Sequence, residues 1–133
     1  MPDTPIRCSV ITPERTVLET EASAVVFPAH DGLVGVLKNR APLVCQLGIG
    51  VLRVDSPSGG SREFFIDGGF AEVRGNEISI LTPRAAAAEE LSKADAEKAA
   101  AAAAAMPLTS DEAFETRQQA VARAAAQSKI AKK

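Results

Sequence analysis

The sequence changes character at Pro83-Arg84, and no single folding rule serves both sides of that break. All nine glycines and seven of the eight prolines lie at or before Pro83, among short runs rich in β-branched residues. Past Arg84 there is no glycine, and alanine dominates, unbroken from Ala99 to Ala105. Glycine and proline punctuate strands and turns, whereas alanine is the strongest helix former. The chain therefore reads as two units, residues 1–84 built of strands and residues 85–133 built of helices. Strands followed by helices make the fold class α+β.

In the first unit Ile6, Cys8 and Val10 alternate with Arg7, Ser9 and Ile11, the period-two pattern of a half-buried strand with Cys8 turned to the core. Further strands are expected over 16–21, 24–28, 33–38, 50–54, 63–67, 70–74 and 77–81. At about 8–12 residues per strand and turn, this spacing argues for a sandwich or barrel. Ser56-Pro57-Ser58-Gly59-Gly60 reads as a hairpin loop and Gly75-Asn76 as a two-residue turn, both favouring antiparallel pairing. Gly68-Gly69 falls inside a strand pattern, where it marks a bulge or a close backbone approach.

The second unit reads as an antiparallel helical hairpin. Pro107 stops the first helix, and Thr109 with Glu112 three residues later forms a capping-box pattern that starts the second. Each helix should span about 20 residues or slightly more, roughly 30 Å. Large apolar residues are few, namely Leu91, Met106, Leu108, Phe114, Val121 and Ile130, with Phe114 and Val121 sharing a face. Alanine gains little from burial, so the hairpin should dock weakly and a chain ending at Arg84 should fold without it. Its charges are ordered: Glu89, Glu90, Asp95, Glu97, Asp111, Glu112 and Glu115 come first, then Arg117, Arg123, Lys129, Lys132 and Lys133 with no acid among them. The helix dipole favours cations in the last turn, which accounts for the lysines but not for Arg117 and Arg123.

The inventory excludes most chemistry. At 133 residues the chain holds one domain or a small one with an appendage. A net charge of −2 excludes a general nucleic-acid binder. His30 is the only histidine, so a catalytic triad or a zinc set lacks its parts, and no catalytic residue, metal or cofactor is assigned. Gly32-Leu33-Val34-Gly35 lacks the Lys-Ser/Thr ending of a phosphate loop. Cys8 and Cys45 are too few for a disulfide framework and are expected as unbridged thiols. No run approaches the ~20 apolar residues of a spanning helix, and no signal peptide opens the chain, so a cytoplasmic protein without membrane insertion is expected.

Within this frame Asp31-Gly32-Leu33-Val34-Gly35-Val36-Leu37, Arg40-Ala41-Pro42-Leu43-Val44 and Leu47-Gly48-Ile49-Gly50-Val51-Leu52-Arg53-Val54 resemble the ε subunit of bacterial F-type ATP synthases. Phe65-Ile66-Asp67-Gly68-Gly69-Phe70-Ala71-Glu72-Val73 resembles that family's Gly-Gly-Phe-x-Glu-Val strand pair still more closely, and Val10-Ile11-Thr12-Pro13-Glu14-Arg15 also fits. The resemblance implies an antiparallel sandwich of two five-stranded sheets followed by the helical hairpin. It further implies a non-catalytic rotor subunit that binds γ and the c-ring, couples their rotation to the catalytic head, and lies peripherally on the cytoplasmic side of the inner (plasma) membrane. Two loops correspond to those that face the c-ring in relatives: His30, Asp31, Gly32 and Leu33, then Lys38, Asn39 and Arg40. The chain departs from the family at both, with Lys38-Asn39-Arg40-Ala41-Pro42 where Pro-Gly-His-Ala-Pro is usual, and Leu33 where an acid is common.

The resemblance also implies that an extended hairpin can reach the catalytic β and α subunits and inhibit hydrolysis. Arg117 and Arg123 are the residues expected to make that contact. Relatives that bind ATP carry an arginine at the head of the first helix, and Leu91-Ser92-Lys93-Ala94-Asp95-Ala96 has none, so no ATP binding is expected. Two other readings remain open here, a free-standing interaction module with a helical arm and a nucleotide sensor.

Overall fold

A computed structural model describes residues 5–37 and 40–132. Eight strands precede two helices: β1 Ile6–Ile11, β2 Thr16–Ala22, β3 Ala24–Ala29, β4 Gly32–Val36, β5 Leu43–Asp55, β6 Ser61–Arg74, β7 Glu77–Leu81, β8 Ala85–Ala87, α1 Lys93–Ala104 and α2 Asp111–Ile130. Hydrogen bonding links the strands in the order β2-β1-β7-β6-β5-β3-β4, with β8 also on β6. Neighbours are antiparallel except β1 and β7, which run parallel.

The long ribbon of β5 and β6 belongs to both layers of a sandwich. Its Leu43–Leu47 and Gly69–Arg74 end continues into β7, β1 and β2, while its other end is flanked by β3 and β4 on one side and β8 on the other. Counting the shared strands in each layer gives β2-β1-β7-β6-β5 and β8-β6-β5-β3-β4, the two five-stranded sheets implied by the resemblance. Side-chain parity shows where the ribbon turns the corner. On β6 the core takes Phe64 and Ile66, then Ala71 and Val73; on β5 it takes Cys45 and Leu47, then Leu52 and Val54. A strand that alternates strictly cannot place both sets inward, so both strands switch side-chain parity between them, and they do so together, without a change in pairing register. Gly48 and Gly68-Gly69 sit at that point, and Gly68 and Gly69 have φ of 76° and 105°. Of the sequence reading at Gly68-Gly69 the close approach holds, since a Cβ on Gly69 would meet the backbone of Leu81 and Thr82, whereas the bulge does not, because β5 and β6 keep one register past this point. It missed that β5 begins at Leu43 rather than at Gly50, because two glycines interrupt the apolar pattern there.

Both cysteines are free. Cys8 is buried in the core, and burial pushes its thiol up to about 12, which leaves it unreactive.

The chain does not turn helical at Ala85. Residues Ala85–Ala87 pair with Phe64–Ile66 of β6, and Ala88–Glu90 follow as a turn of 3₁₀ helix. Propensity is overridden because the backbone groups along that edge of β6 need partners. The first helix is consequently 12 residues long, shorter than the expected length, and is capped by Ser92, whose Oγ accepts from the Asp95 N–H at 3.4 Å. The second helix has the expected 20 residues, but its cap is Ser110, accepting from Ala113 N–H at 3.0 Å, rather than Thr109. A chain ending at Glu90 should therefore keep a full sandwich. One ending at Arg84 loses β8 and the core contact of Ala87, and its urea midpoint is expected to correspond to a loss of about 1–2 kcal/mol relative to the longer chain.

The hairpin docks on the outer side of the second layer through a small apolar cluster of Phe65, Ala88, Ala126 and Ile130, edged by Ile49, Val51 and Leu91. Phe114 and Val121 are not part of it. They are 48% and 45% exposed, so the shared face read from their spacing is not a core face.

Candidate functional site

The first layer presents a fully ordered outer face, which strand register resolves into three rows. Glu21, Arg7, Glu77 and Arg74 lie opposite one another across β2, β1, β7 and β6. The next row is Glu19, Ser9, Ser79, Glu72 and Val44, and the last is Thr16, Ile11, Leu81, Phe70 and Gln46. The face thus grades from a row of alternating charges to a largely apolar one. Its charged end is internally satisfied: Arg7 donates to Glu19 at 2.6 Å, and that hydrogen bond and charge raise the arginine pKa above its ordinary value. Its apolar end is open. Phe70 is 57% and Leu81 49% exposed, with Ile11 between Leu81 and the sheet edge and Val44 at 69% diagonal to Phe70. A contiguous apolar patch held on rigid strands and rimmed by polar groups is a surface for a protein partner. Sequence reasoning missed it because the parity switch at the positive-φ glycines Gly68-Gly69 decides whether Phe70 or Ala71 points inward.

The apolar row runs into the first of the expected loops. His30 and Asp31 form the turn between β3 and β4, and the His30 N–H donates to the Gln46 carbonyl at 2.9 Å. The second loop comes to the same edge. Arg40 donates to the Gly35 carbonyl at 3.1 Å, and the charges of Asp31 and Arg40 both reach the Cys45 thiol. Burial raises that thiol's pKa first, Asp31 adds to the rise and Arg40 opposes it. The structure therefore brings His30, Asp31 and Arg40 to one edge, with Gly32 next in the chain, whereas Leu33, 74% exposed, lines a groove shared with Ala125, Ala126 and Lys129 of α2. Lys38 and Asn39 lie outside the described residues.

Arg117 and Arg123 are engaged within the chain. Arg117 donates from Nε to the Ala103 carbonyl at 3.3 Å and from Nη2 to that of Ala104 at 3.1 Å, adding side-chain donors at the carbonyl end of α1. Arg123 Nε donates to Asp67 Oδ2 at 2.9 Å, tying α2 to the corner of β6. These contacts explain two cations outside the last turn without any external acid. Asp67 was not singled out in the sequence, since its partner lies 56 positions away.

Among the described residues no three His, Cys, Asp or Glu side chains are grouped to hold a metal ion, and no helix is long and apolar enough to cross a membrane.

Residues 5–88 match the family described as ATP synthase, Delta/Epsilon chain, beta-sandwich domain. The ATP synthase epsilon chain of Rhodopirellula baltica is 44% identical over 122 residues, covering 92% of this chain and 94% of that one. The epsilon chain of Pelotomaculum thermopropionicum is 39% identical over 99 residues, 74% of this chain and 73% of its own. Among solved structures, a chain in the Euglena gracilis mitochondrial ATP synthase, described as OSCP/F1/c-ring in rotational state 1, superposes with a TM-score of 0.82 at 24% identity, over 91% of this chain and 78% of the other. That likeness extends the agreement in fold across the hairpin. The strand order, the Gly-Gly corner and the relatives agree, and the chain belongs to the ATP synthase delta/epsilon chain family.

Proposed function

We propose that this chain, an epsilon-type central-stalk subunit of an ATP synthase, binds the γ subunit through the row Ile11, Leu81 and Phe70. The same reading rests the edge formed by His30, Asp31, Gly32 and Arg40 on the c-ring, peripheral to the cytoplasmic side of the inner (plasma) membrane. The observation that carries it is the open apolar end of an otherwise charge-balanced sheet face. A rotor subunit must transmit torque without slipping, and a rigid sheet face suits that better than a mobile loop. The edge beside it is continuous with the row through the His30 to Gln46 hydrogen bond, so a stalk partner and a ring partner can be engaged side by side.

In this reading the hairpin restrains hydrolysis when it reaches the catalytic β and α subunits. Arg117 and Arg123 can meet an acidic surface there only after leaving Ala103, Ala104 and Asp67. The docked hairpin is thus the state in which the restraint is off.

Placing Glu at both Phe70 and Leu81 tests the γ surface directly. Neither side chain is in the core, so the thermal midpoint should stay within a few degrees, while two charges desolvated in an apolar contact should weaken γ binding by about 100-fold or more. Wild-type affinity in the double variant would remove this surface from the interface. No γ affinity in the unaltered chain at micromolar concentration would leave the free-standing interaction module as the better account.

A further inference from the structure

The apolar dock of the hairpin lies at one end. It uses Ala126 and Ile130, in the last part of α2, and Lys132 N–H donates to the Ala88 carbonyl at 3.4 Å just beyond. The first half of α2 stands off the sandwich. An open groove of about 590 Å³ separates Ile49 from Phe114, Arg117 and Val121. Between these two regions the tie from helix to sheet is Arg123 to Asp67, the least exposed ion pair among the described residues, with side chains 35% and 16% exposed.

Asp67 is an unusually fixed acceptor. Its backbone N–H donates to the Arg84 carbonyl at 3.1 Å and to Thr82 Oγ1 at 3.3 Å. The buried Thr82 hydroxyl in turn donates to that same Arg84 carbonyl at 3.1 Å. Gly68 and Gly69 follow at once with positive φ. The carboxylate is therefore mounted on the corner of the ribbon, where backbone geometry leaves it little freedom. A guanidinium that meets a pre-placed carboxylate loses less entropy than one pairing with a mobile side chain.

We propose that Asp67 and Arg123 form a polar latch that sets how often the hairpin leaves the sandwich, and that Arg117 is a separate staple holding α2 to α1 while it does. The two arginines divide the work by what they grip. Arg123 holds a side chain of the sandwich, so releasing it frees the hairpin as a unit. Arg117 holds carbonyls of the neighbouring helix, so releasing it opens the hairpin itself. Because the apolar dock has only four buried side chains, two of them alanine, one part-buried charge-assisted bond is a large share of what holds the hairpin down. The latch is a property of the chain by itself and does not depend on γ being its partner.

Amide hydrogen exchange on the full-length chain tests this. Arg123→Gln and Asp67→Asn should each speed exchange across residues 121–130 by about ten-fold, a modest figure because Arg123 is over a third exposed. Core amides of β1 and β7 should exchange as in the wild type. Arg117→Gln should instead speed exchange over the last turn of α1 and the first half of α2, leaving 121–130 nearly unchanged. Exchanging the pair, Asp67→Arg with Arg123→Asp, should recover at least half of the loss. Wild-type rates over 121–130 in both single variants, or an exchanged pair no better than either single variant, would overturn the latch. Identical exchange patterns for Arg117→Gln and Arg123→Gln would overturn the division between latch and staple.

Discussion

Replacing Gly69 by alanine is expected to cost the sandwich about 3–5 kcal/mol, the largest effect of any exchange that adds a single methyl group. Two independent penalties act there. Its φ of 105° lies where an L side chain is strained, and a Cβ on this backbone would collide with the Leu81 carbonyl and lie 2.8 Å from the Thr82 Cα. Neither obstacle is the end of a flexible side chain. Relief would require β7 to move away from β6 at the place where the ribbon changes layers, and Leu81 lies opposite Phe70 in the apolar row. Gly35 is the control, because no atom lies within 4 Å of a built Cβ and its φ is not positive. Alanine there should stay within about 0.5 kcal/mol of wild type. Urea unfolding of the two variants gives the comparison. Similar midpoints would mean that β6 and β7 separate easily and that the corner is not rigid.

The parts of this fold that sequence exposed were those governed by local rules. Alternation placed β1, glycine able to take positive φ placed the turn at Gly75, and the Gly-Gly pair marked a close backbone approach. What it concealed was set by partners distant in the chain. Ala85–Ala87 became a strand because β6 had an open edge, and no local property of three alanines announces that. The face of Phe70 depends on the parity switch at Gly68-Gly69 just upstream, so its exposure could not be read from alternation alone. Phe114 and Val121 have helical spacing, yet α2 docks through Ala126 and Ile130, where the small Ala126 lets the helix approach Phe65. The arginines were recognised as unexplained by the dipole, but their partners are backbone carbonyls of another helix and a carboxylate on a strand. For the c-ring edge, the residues could be named from the resemblance. The approach of Asp31 and Arg40 to Cys45 needed the structure.

Phe64 and Phe65 are adjacent on β6 and should give opposite results when each is cut back to alanine. Both are almost wholly buried, at 1% and 0% exposure, and on burial alone they are equivalent. Their surroundings differ. Phe64 points between the layers, in the core that also holds Phe27, Leu52 and Ile66, and removing its ring leaves a cavity that rigid strands cannot fill. Phe64→Ala should therefore lose about 3–5 kcal/mol, visible as a large fall in the midpoint of cooperative unfolding. Phe65 points to the other side, against Ala88, Ala126 and Ile130, with the Arg84 guanidinium 5.9 Å from its ring centre. These contacts belong to the hairpin rather than to the sandwich interior. Losing that ring removes most of the large apolar surface on which α2 rests, and a lone alanine-rich helix of this length is marginal in water. Phe65→Ala should keep a cooperative sandwich transition close to the wild type while α2 becomes accessible to proteolysis and loses helical signal at lower temperature. If Phe65→Ala instead destabilised the sandwich as much as Phe64→Ala, hairpin and sandwich would be one cooperative unit. A hairpin able to leave on its own, which the proposed restraint of hydrolysis requires, would then be ruled out.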